Sequence, residues 1–483
     1  MTVALKIMPL FGEGTFAKSA VVTRQRRLNV YLEQRKDRDK TRIAIYGTPG
    51  LVLDFSVSTP FDQPLRGFQG TQTALYAVSY NQFLSLSSTG STLASGTLGT
   101  TAGLVSIAYS PTQVVIVDGS SGYTYTPATT TFATIPSFPA TGARTVTFVA
   151  GFFVAEQPGT QKFWVSNAFD GTTWNPLSFA SAASGSDNIV AVNNLNGNLI
   201  VFRQLGMEFW QNQGLVPQPF APILSGANNW GLAAIFSVVH VLGANDQDTL
   251  VFLGQSESGQ VQLVQVSGFT PQVISDPDME SIWNSFSVVS DATAYTYQVD
   301  THRFYQINFP TANRSFIFDM STGVPGEVQT GTSVTPVRHT GNLGTYYAGQ
   351  TLVADYATNQ VYTLNPNVYT DNGVTIIRQI ITRHVLSSFN RIRVSMLYLD
   401  METGVGLQSG QGSNPQIMLE YSKDNGRTWS AQRWASSGLV GNYIARVIWR
   451  RFGCTRDATW RITMSDPVKF VITEGAFKMR AAA

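Results

Sequence analysis

A pair of carboxylates at a set separation, an arginine clamp, a thiolate beside an imidazole or a cluster of histidines would each announce a reaction. Cys454 is the only cysteine, which excludes an intrachain disulfide and a cysteine-based zinc site. The four histidines, His240, His302, His339 and His384, stand singly and without metal-ligand spacing. Asp276-Pro277-Asp278-Met279-Glu280 is the densest acidic cluster. It lacks the alternating oxygen ligands and the glycine of a calcium loop, and reads as a solvated turn. Glycoside hydrolysis needs two carboxylates at a defined distance, and no local constellation marks such a pair. A sialidase needs arginines around a carboxylate. The long middle of the chain offers Arg66, Arg144, Arg203, Arg303, Arg314 and Arg338, with Lys162 its one lysine. A triad is arithmetically available, but nothing in their spacing marks one. Gly404–Gly412 follows a strand and precedes another, so it is not a dinucleotide or phosphate fingerprint. No nucleophile elbow or Walker sequence stands out. The expectation is a chain with no catalytic residue, no metal and no cofactor.

One turn is chemically distinctive. Ser422, Asp424, Gly426 and Trp429 fit S-x-D-x-G-x-x-W within Tyr421–Trp429, directly after the apolar run Ile417-Met418-Leu419. Gly426 can take positive φ, and the Asp and Asn side chains can bond nearby amides. The pattern resembles the Asp-box, a turn between two strands whose Trp packs beneath the loop. Asp-boxes recur in sialidases, which raises a glycan site; the same turn serves equally as a rigid hairpin away from chemistry, and that is the reading adopted. Trp429 is then a buried aromatic whose truncation costs about 3–5 kcal/mol. Ser166, Asp170-Gly171 and Trp174 form a looser copy.

The elements that must hold these turns are strands. Of 483 residues, 13% are charged, about half the usual share. Aromatics at 12% and 42 glycines suit strands joined by tight turns. Between 43 and 377 a unit of apolar strand, turn and second strand recurs roughly every 30–55 residues, the range of propeller blades. Such pairs are 74–78 with 82–86, 113–117 with 123–125, 147–149 with 152–154, 198–202 with 207–210, 249–253 with 261–264, 295–297 with 303–307, and 351–354 with 360–364. Six or seven blades fit the length. The strand Ile43-Ala44-Ile45-Tyr46, ahead of the Gly47-Thr48-Pro49-Gly50 turn, is placed to complete the last blade and close the ring. A chain of β-sandwiches is the other arrangement open to these strands. After Asn365-Pro366 the strands lengthen: 375–382, 392–401, 416–421, 443–449, 459–464 and 469–472. The fold class expected is all-β: a six- or seven-bladed β-propeller over 43–377, then a β-sandwich-like domain over 378–483 carrying the Asp-box hairpin.

Charge divides the chain the same way. Residues 1–42 hold 10 basic and 4 acidic residues, a net +6; 43–377 hold 7 and 19, a net −12; 378–483 hold 15 and 7, a net +8. The first segment, with Arg24, Arg26 and Arg27, reads as a basic arm that docks on a partner or on nucleic acid, or as a solvated terminus. Arg446 and Arg450 share a parity on a strand and so one face, with Arg451 beside them. These six arginines are the candidates for contact with DNA phosphates or an acidic neighbouring subunit. No apolar run reaches transmembrane length. Residues 1–20 are interrupted by Pro9 and their apolar part is short, so they do not read as a signal peptide.

Several stretches also resemble a known family. They are Leu28-Asn29-Val30-Tyr31-Leu32-Glu33, Tyr46-Gly47-Thr48-Pro49-Gly50-Leu51, Phe309-Pro310-Thr311-Ala312-Asn313, Val368-Tyr369-Thr370-Asp371-Asn372-Gly373, Leu399-Asp400-Met401-Glu402-Thr403-Gly404-Val405-Gly406 and Ala445-Arg446-Val447-Ile448-Trp449-Arg450-Arg451. In this order they resemble the packaged-DNA stabilisation proteins of short-tailed bacteriophages, also called tail accessory factors, tail hubs or nozzles. The resemblance implies a structural virion protein assembled in the host cytoplasm. It implies a ring of subunits, six in number, below the portal and its adaptor ring. That ring would continue the channel for double-stranded DNA, help retain the packaged genome, and meet a tail needle or plug and tailspikes or fibres. It carries over no catalytic residue and no membrane anchor. The alternative from another class is a carbohydrate-binding or sialidase-like propeller, which predicts glycan binding by the monomer and several strong Asp-boxes.

Overall fold

The structure is a computed structural model describing residues 6–7, 23–34, 43–243, 247–333, 335–386 and 390–481. Its strands are short because the chain reverses so often. Ala150-Gly151, Asn196-Gly197, Ala348-Gly349 and Asn372-Gly373 each put two consecutive residues at positive φ. That is the backbone of the tight hairpin turn whose twist matches the strands it joins.

These hairpins build seven antiparallel blades. The first comprises Leu65–Gly70, Leu75–Ser79, Gln82–Leu86 and Thr92–Thr97. The next five span 106–134, 146–181, 189–222, 231–273 and 293–328. In the fifth the inner strand comes in two pieces, Gly231–Leu232 and Val239–Leu242, both paired with Asp248–Gln255. The seventh takes three strands from 341–365 and its fourth, Gly50–Ser56, from the other end of the chain. The inner strand of the seventh lies against that of the first, where the Gly70 amide donates to the Thr345 hydroxyl at 2.7 Å.

A blade is a sheet with two apolar faces and cannot bury both alone. Each gap between neighbours holds its own apolar cluster. Tyr76, Phe83, Tyr123 and Tyr125 fill the wedge between blades one and two. Phe202, Phe209 and Phe252 fill that between four and five, and Trp283, Phe309 and Phe316 that between five and six. Leu75, Leu352 and Val361 fill the wedge between seven and one, which completes the ring.

The ring is sealed by Gly50–Ser56, antiparallel to Gln360–Asn365 with Leu51 opposite Leu364. This corrects the expectation that 43–46 would do so. Ile43–Gly47 pairs instead with Val30–Gln34 on one side and Val471 on the other. Burial explains the exchange. Ala44 and Ile45 are fully buried, as suits the interior of a sheet, whereas Val52, Leu53 and Asp54 are exposed, as suits an outermost blade strand. The acidic cluster at 276–280 also differs from the expected turn. It opens a short helix, Pro277–Trp283, whose first-turn amide at Met279 donates to the Asp276 carboxylate at 2.8 Å.

The second domain is a sandwich of two sheets. One contains Val30–Gln34, Ile43–Gly47, Val471–Ala481, Ile392–Met401 and Val447–Thr455, with Lys6–Ile7 added beside Val471–Ala481. The other contains Arg26–Leu28, Arg378–Ile381, Asp457–Met464, Gln416–Ser422 and Arg433–Ser436. Trp449, Trp460, Phe470 and Phe477 lie in the core between them. The expected strand over 443–449 begins only at Val447, because Tyr443 and Ile444 stand in a turn. Both ends of the chain therefore contribute to this domain.

The same strand, Arg26–Leu28, also runs parallel to Val324–Val328 of blade six, so one continuous sheet joins propeller and sandwich. Asn29 follows it at φ 54 and is 1% exposed. Its amide donates to the carbonyls of Gln329 and Ile377, and its oxygen accepts from the Gln329 amide. One side chain thereby clasps the N-terminal strands, the exit of blade six and the lead-in to Arg378–Ile381.

Candidate functional site

The S-x-D-x-G-x-x-W turn folds as a hydrogen-bonded knot. The Ser422 hydroxyl donates to Asp424 Oδ1 at 2.6 Å and accepts from the Gly426 amide at 2.8 Å. Asp424 also accepts from the Thr428 amide at 2.9 Å and its hydroxyl at 2.6 Å. The Ser422 and Thr428 hydroxyls hold the Asp424 carboxyl well below the usual carboxylate range. Asn425 and Gly426 take the positive φ the turn requires. Trp429 departs from the expectation of a buried ring. It is partly exposed and lies under the Arg461 guanidinium, 4.4 Å from its centroid. Arg461 is itself fixed by two bonds to Glu420, at 2.7 and 2.6 Å.

The looser copy has the deeper tryptophan. Trp174 is 1% exposed and its indole N–H donates to the Gly171 carbonyl at 2.9 Å, beneath its own loop. Neither turn gathers acid–base groups around it. Spacing alone ranked the two turns in the wrong order, because tryptophan burial depends on what the rest of the fold lays over the ring.

Three of the six candidate arginines stand on an open edge of the sandwich. Arg446, Arg450 and Arg451 are all exposed, while Val447, Trp449 and Phe452 point into the core. Strict alternation from Arg450 would turn Arg451 inward. Arg451 instead takes φ 67 at a bulge in the pairing with Ile392–Met401, and both arginines face out. Arg433, from the edge of the other sheet, donates to the Arg450 carbonyl and lies over the Phe452 ring, 5.2 Å from its centroid. The Trp449 indole donates to the Arg433 carbonyl at 3.0 Å. Lys423 of the knotted turn reaches this bulge, for a Cβ added to Gly453 would meet its ammonium at 3.2 Å. Through Lys423 the turn joins the arginines at one basic edge although they are distant in sequence.

An apolar tip adjoins this edge. The loop after Ile392–Met401 is tied to the loop before Val447 by the Gly404 amide to Ser437 and the Gly441 amide to Gly404. Between them stand Leu439, Val440, Tyr443 and Ile444, all exposed, the last by 89%. The sequence reading missed this tip; the signal lay in apolar residues at 439–444 breaking the polar character of a loop.

Arg24 lies against the knotted turn, Arg26 and Arg27 lie at the domain junction, and all three are engaged. Arg24 donates to the Gly426 carbonyl at 3.5 Å. Arg26 meets Glu327 at 2.7 Å, a carboxylate shared with Arg314 at 3.1 Å. Arg27 is buried and donates to the Pro325 carbonyl at 3.0 Å. Residues 23–34 are woven into the domain junction; apart from Lys6–Ile7, the rest of the expected basic arm, residues 1–5, 8–22 and 35–42, lies outside the described residues.

The propeller arginines are dispersed through different blades. Arg66 donates to the carbonyls of Gly103, Tyr80, Thr100 and Ala102. Arg144 meets buried Glu156 at 3.1 Å, and Arg203 pairs with Asp187. Three of the four histidines meet carboxylates: His240 with Asp248, His302 with Asp319 and His384 with Asp457. Among the described residues no group of three or more His, Cys, Asp or Glu is placed to hold a metal, and no helix is long and apolar enough to cross a membrane.

Comparison with known proteins follows the two domains. Solved structures similar to the chain include the N-terminal domain of Nup159, at 9% identity and TM-score 0.40 over 70% of this chain and 98% of that one. The Pan2 WD40 domain of Neurospora crassa gives 9% identity and TM-score 0.42 over 69% and 97%. The computationally designed protein Ika8 gives 12% and 0.38 over 71% and 99%. No curated protein sequence matches. A family model described as "Bacteriophage P22 Gp10, beta-propeller" matches residues 42–369, and one described as "Bacteriophage P22 Gp10, beta-sandwich" matches residues 377–480. The chain belongs to the family of bacteriophage P22 Gp10, a tail and DNA-stabilisation protein family of short-tailed phages.

Proposed function

We propose that this phage structural protein is a ring-forming tail hub whose sandwich edge docks on a neighbouring tail component. The observation that carries this reading is the contiguity of the apolar tip, Leu439, Val440, Tyr443 and Ile444, with exposed Arg446, Arg450 and Arg451. An exposed apolar patch with a charged rim is the composition of a protein–protein contact. Bare phosphate binding needs the charge alone. The basic rim favours an acidic partner, and steers its approach.

The rest of the chain suits such a part. The acidic propeller, net −12 over 43–377, would repel DNA phosphates and present a smooth wall to a genome passing a ring of six subunits. The sheet shared through Arg26–Leu28 transmits a load between propeller and sandwich without a flexible linker. In this reading the ring sits below the portal and adaptor, meets the needle or plug and the spikes or fibres, and helps retain packaged DNA.

The triple substitution Arg446→Glu, Arg450→Glu, Arg451→Glu tests it. These side chains are exposed, so the chain should fold with an unchanged melting temperature. Tail assembly on DNA-filled heads should fail, and the heads should leak DNA. Full assembly and stable filled heads with the triple variant would overturn the docking role.

A further inference from the structure

Where the closing strand, the last blade and the lead-in to the sandwich meet, the structure forms a half-open cavity of about 200 Å³. Its polar lining is Asp355, Asp371, Tyr362, Thr330, Thr340 and Asn372, and no lysine, arginine or histidine lines it. Asp371 is 3% exposed; the Thr330 hydroxyl and the Leu51 backbone approach its carboxylate only at weak hydrogen-bonding geometry, and no well-formed bond closes on either oxygen. Leaving a buried carboxylate unmatched is costly, and such a group ordinarily marks an ion or bound water.

Buried guanidiniums lie within electrostatic reach of both carboxylates, Arg378 of Asp371 and Arg338 of Asp355, without closing an ion pair on either. The Arg378 guanidinium lies 5.7 Å from the Tyr369 ring centroid. Arg338 donates to Asn342 at 2.5 Å and lies over the Tyr356 ring. The other charged group, Asp355, already accepts from the Ala357 amide at 2.8 Å and the Thr358 hydroxyl at 2.6 Å, which fixes its position at the rim. The Tyr362 hydroxyl donates to Gln360 Oε1 at 2.6 Å and lies 3.4 Å from Asp355 Oδ2.

We propose that this cavity binds a hard divalent cation of the calcium class, with Asp371 and Asp355 as its charged ligands. The donors are all oxygen: two carboxylates, a phenol, threonine hydroxyls and an asparagine carbonyl. Oxygen donors without imidazole or thiolate select against zinc and copper. Calcium accepts six to eight oxygens in irregular geometry, part of them water, and the cavity has room for those waters. Asp371 pairs in parallel with Leu51 of the closing strand, so a cation here would fasten ring closure and the inter-domain lead-in at one point.

Terbium, a luminescent stand-in for calcium, tests this on the full chain, because Tyr356 and Tyr362 line the cavity and can sensitise it. Tyrosine-excited emission should saturate with added Tb³⁺ and be displaced by Ca²⁺. Asp371→Asn should weaken the binding by more than about tenfold, given that loss of even a ligand's supporting partner costs that much. Asp54→Asn, an exposed carboxylate on the same closing strand, should leave it unchanged. On the wild-type chain, millimolar CaCl₂ should raise the melting temperature above its value in EDTA. Emission equal in the wild-type and Asp371→Asn chains, or a melting temperature indifferent to Ca²⁺, would overturn the proposal and assign the cavity to water. Displacement of Tb³⁺ by Mg²⁺ with Ca²⁺ inert would overturn the calcium class.

Discussion

His339 gives a quantitative handle on the propeller. Its ring is buried, and Nδ1 accepts the Gly341 amide at 3.0 Å with the Gln306 amide group 3.2 Å away. Two donors on one ring nitrogen require that nitrogen to be bare, so the ring is neutral with its proton on Nε2. Burial first, and the Arg338 charge second, push its pKa from 6.5 down to about 4. The unfolded chain takes up a proton near the ordinary value and the folded chain only near the lowered one. Between these values the unfolded state holds more protons, so stability falls as pH drops through the window. At about 1.4 kcal/mol per pKa unit, the shift amounts to about 3 kcal/mol, fully expressed near pH 4. His339→Asn puts an acceptor oxygen near the Nδ1 position and removes the titration. Other groups act in this range. Burial pushes Asp371 up to about 7, so its protonation favours the folded state as pH falls. Such groups are common to both chains and cancel in the difference. Urea unfolding of both chains, followed by tryptophan fluorescence from pH 8 to pH 4, is the assay. The wild-type advantage should shrink by about 3 kcal/mol toward pH 4. A difference that does not change with pH would refute the assignment of a neutral, bonded His339.

The two tryptophan turns predict an inverted ranking. Trp174→Ala removes a fully buried ring and should cost about 3–5 kcal/mol in urea unfolding. Trp429→Ala removes a partly exposed ring under Arg461 and should cost about 1–2 kcal/mol; equal losses would contradict the burial seen here. Asn29→Ala deletes three buried hydrogen bonds across the domain junction and should destabilise by about 3 kcal/mol. Asn29→Gly, which relieves the positive φ, should recover about 1 kcal/mol of that, both read by thermal unfolding.

Blades were legible because each is local. A pair such as 147–149 and 152–154 carries apolar runs on both sides of Ala150-Gly151, and the turn and partner lie within ten residues. The closing strand was misplaced because apolar pattern alone does not separate Ile43–Gly47, which pairs locally with Val30–Gln34, from Gly50–Ser56. The partners that make Gly50–Ser56 the closing strand lie about three hundred residues away, such as Thr363 opposite Val52. The partners of the basic N-terminal residues were hidden in the same way: Arg26 finds Glu327 and Arg27 finds Pro325, which no pattern near residue 26 reveals. At the sandwich edge the alternation placing Arg446 and Arg450 outward was readable, while the bulge that turns Arg451 out with them was not. The cavity around Asp371 was hidden entirely, since its two carboxylates and its hydroxyls come from three separated stretches of chain.

The way the chain's beginning is used has a consequence for its synthesis. Gly50–Ser56 leaves the ribosome early but meets its partner only when Gln360–Asn365 follows. At about 5–20 residues per second, the intervening roughly 300 residues impose a wait of about 15–60 s. Ile43–Gly47 waits longer still, for Val471–Ala481 at the far end. A nascent chain can lay down blades one after another, yet the propeller is not whole until Gln360–Asn365 is made, nor the sandwich until Val471–Ala481 is. A product cut short before Gln360–Asn365 therefore lacks a sealed propeller, and one cut short before Val471–Ala481 lacks a finished sandwich. Incomplete copies would be excluded from a particle under construction by their own topology, with no separate proofreading step.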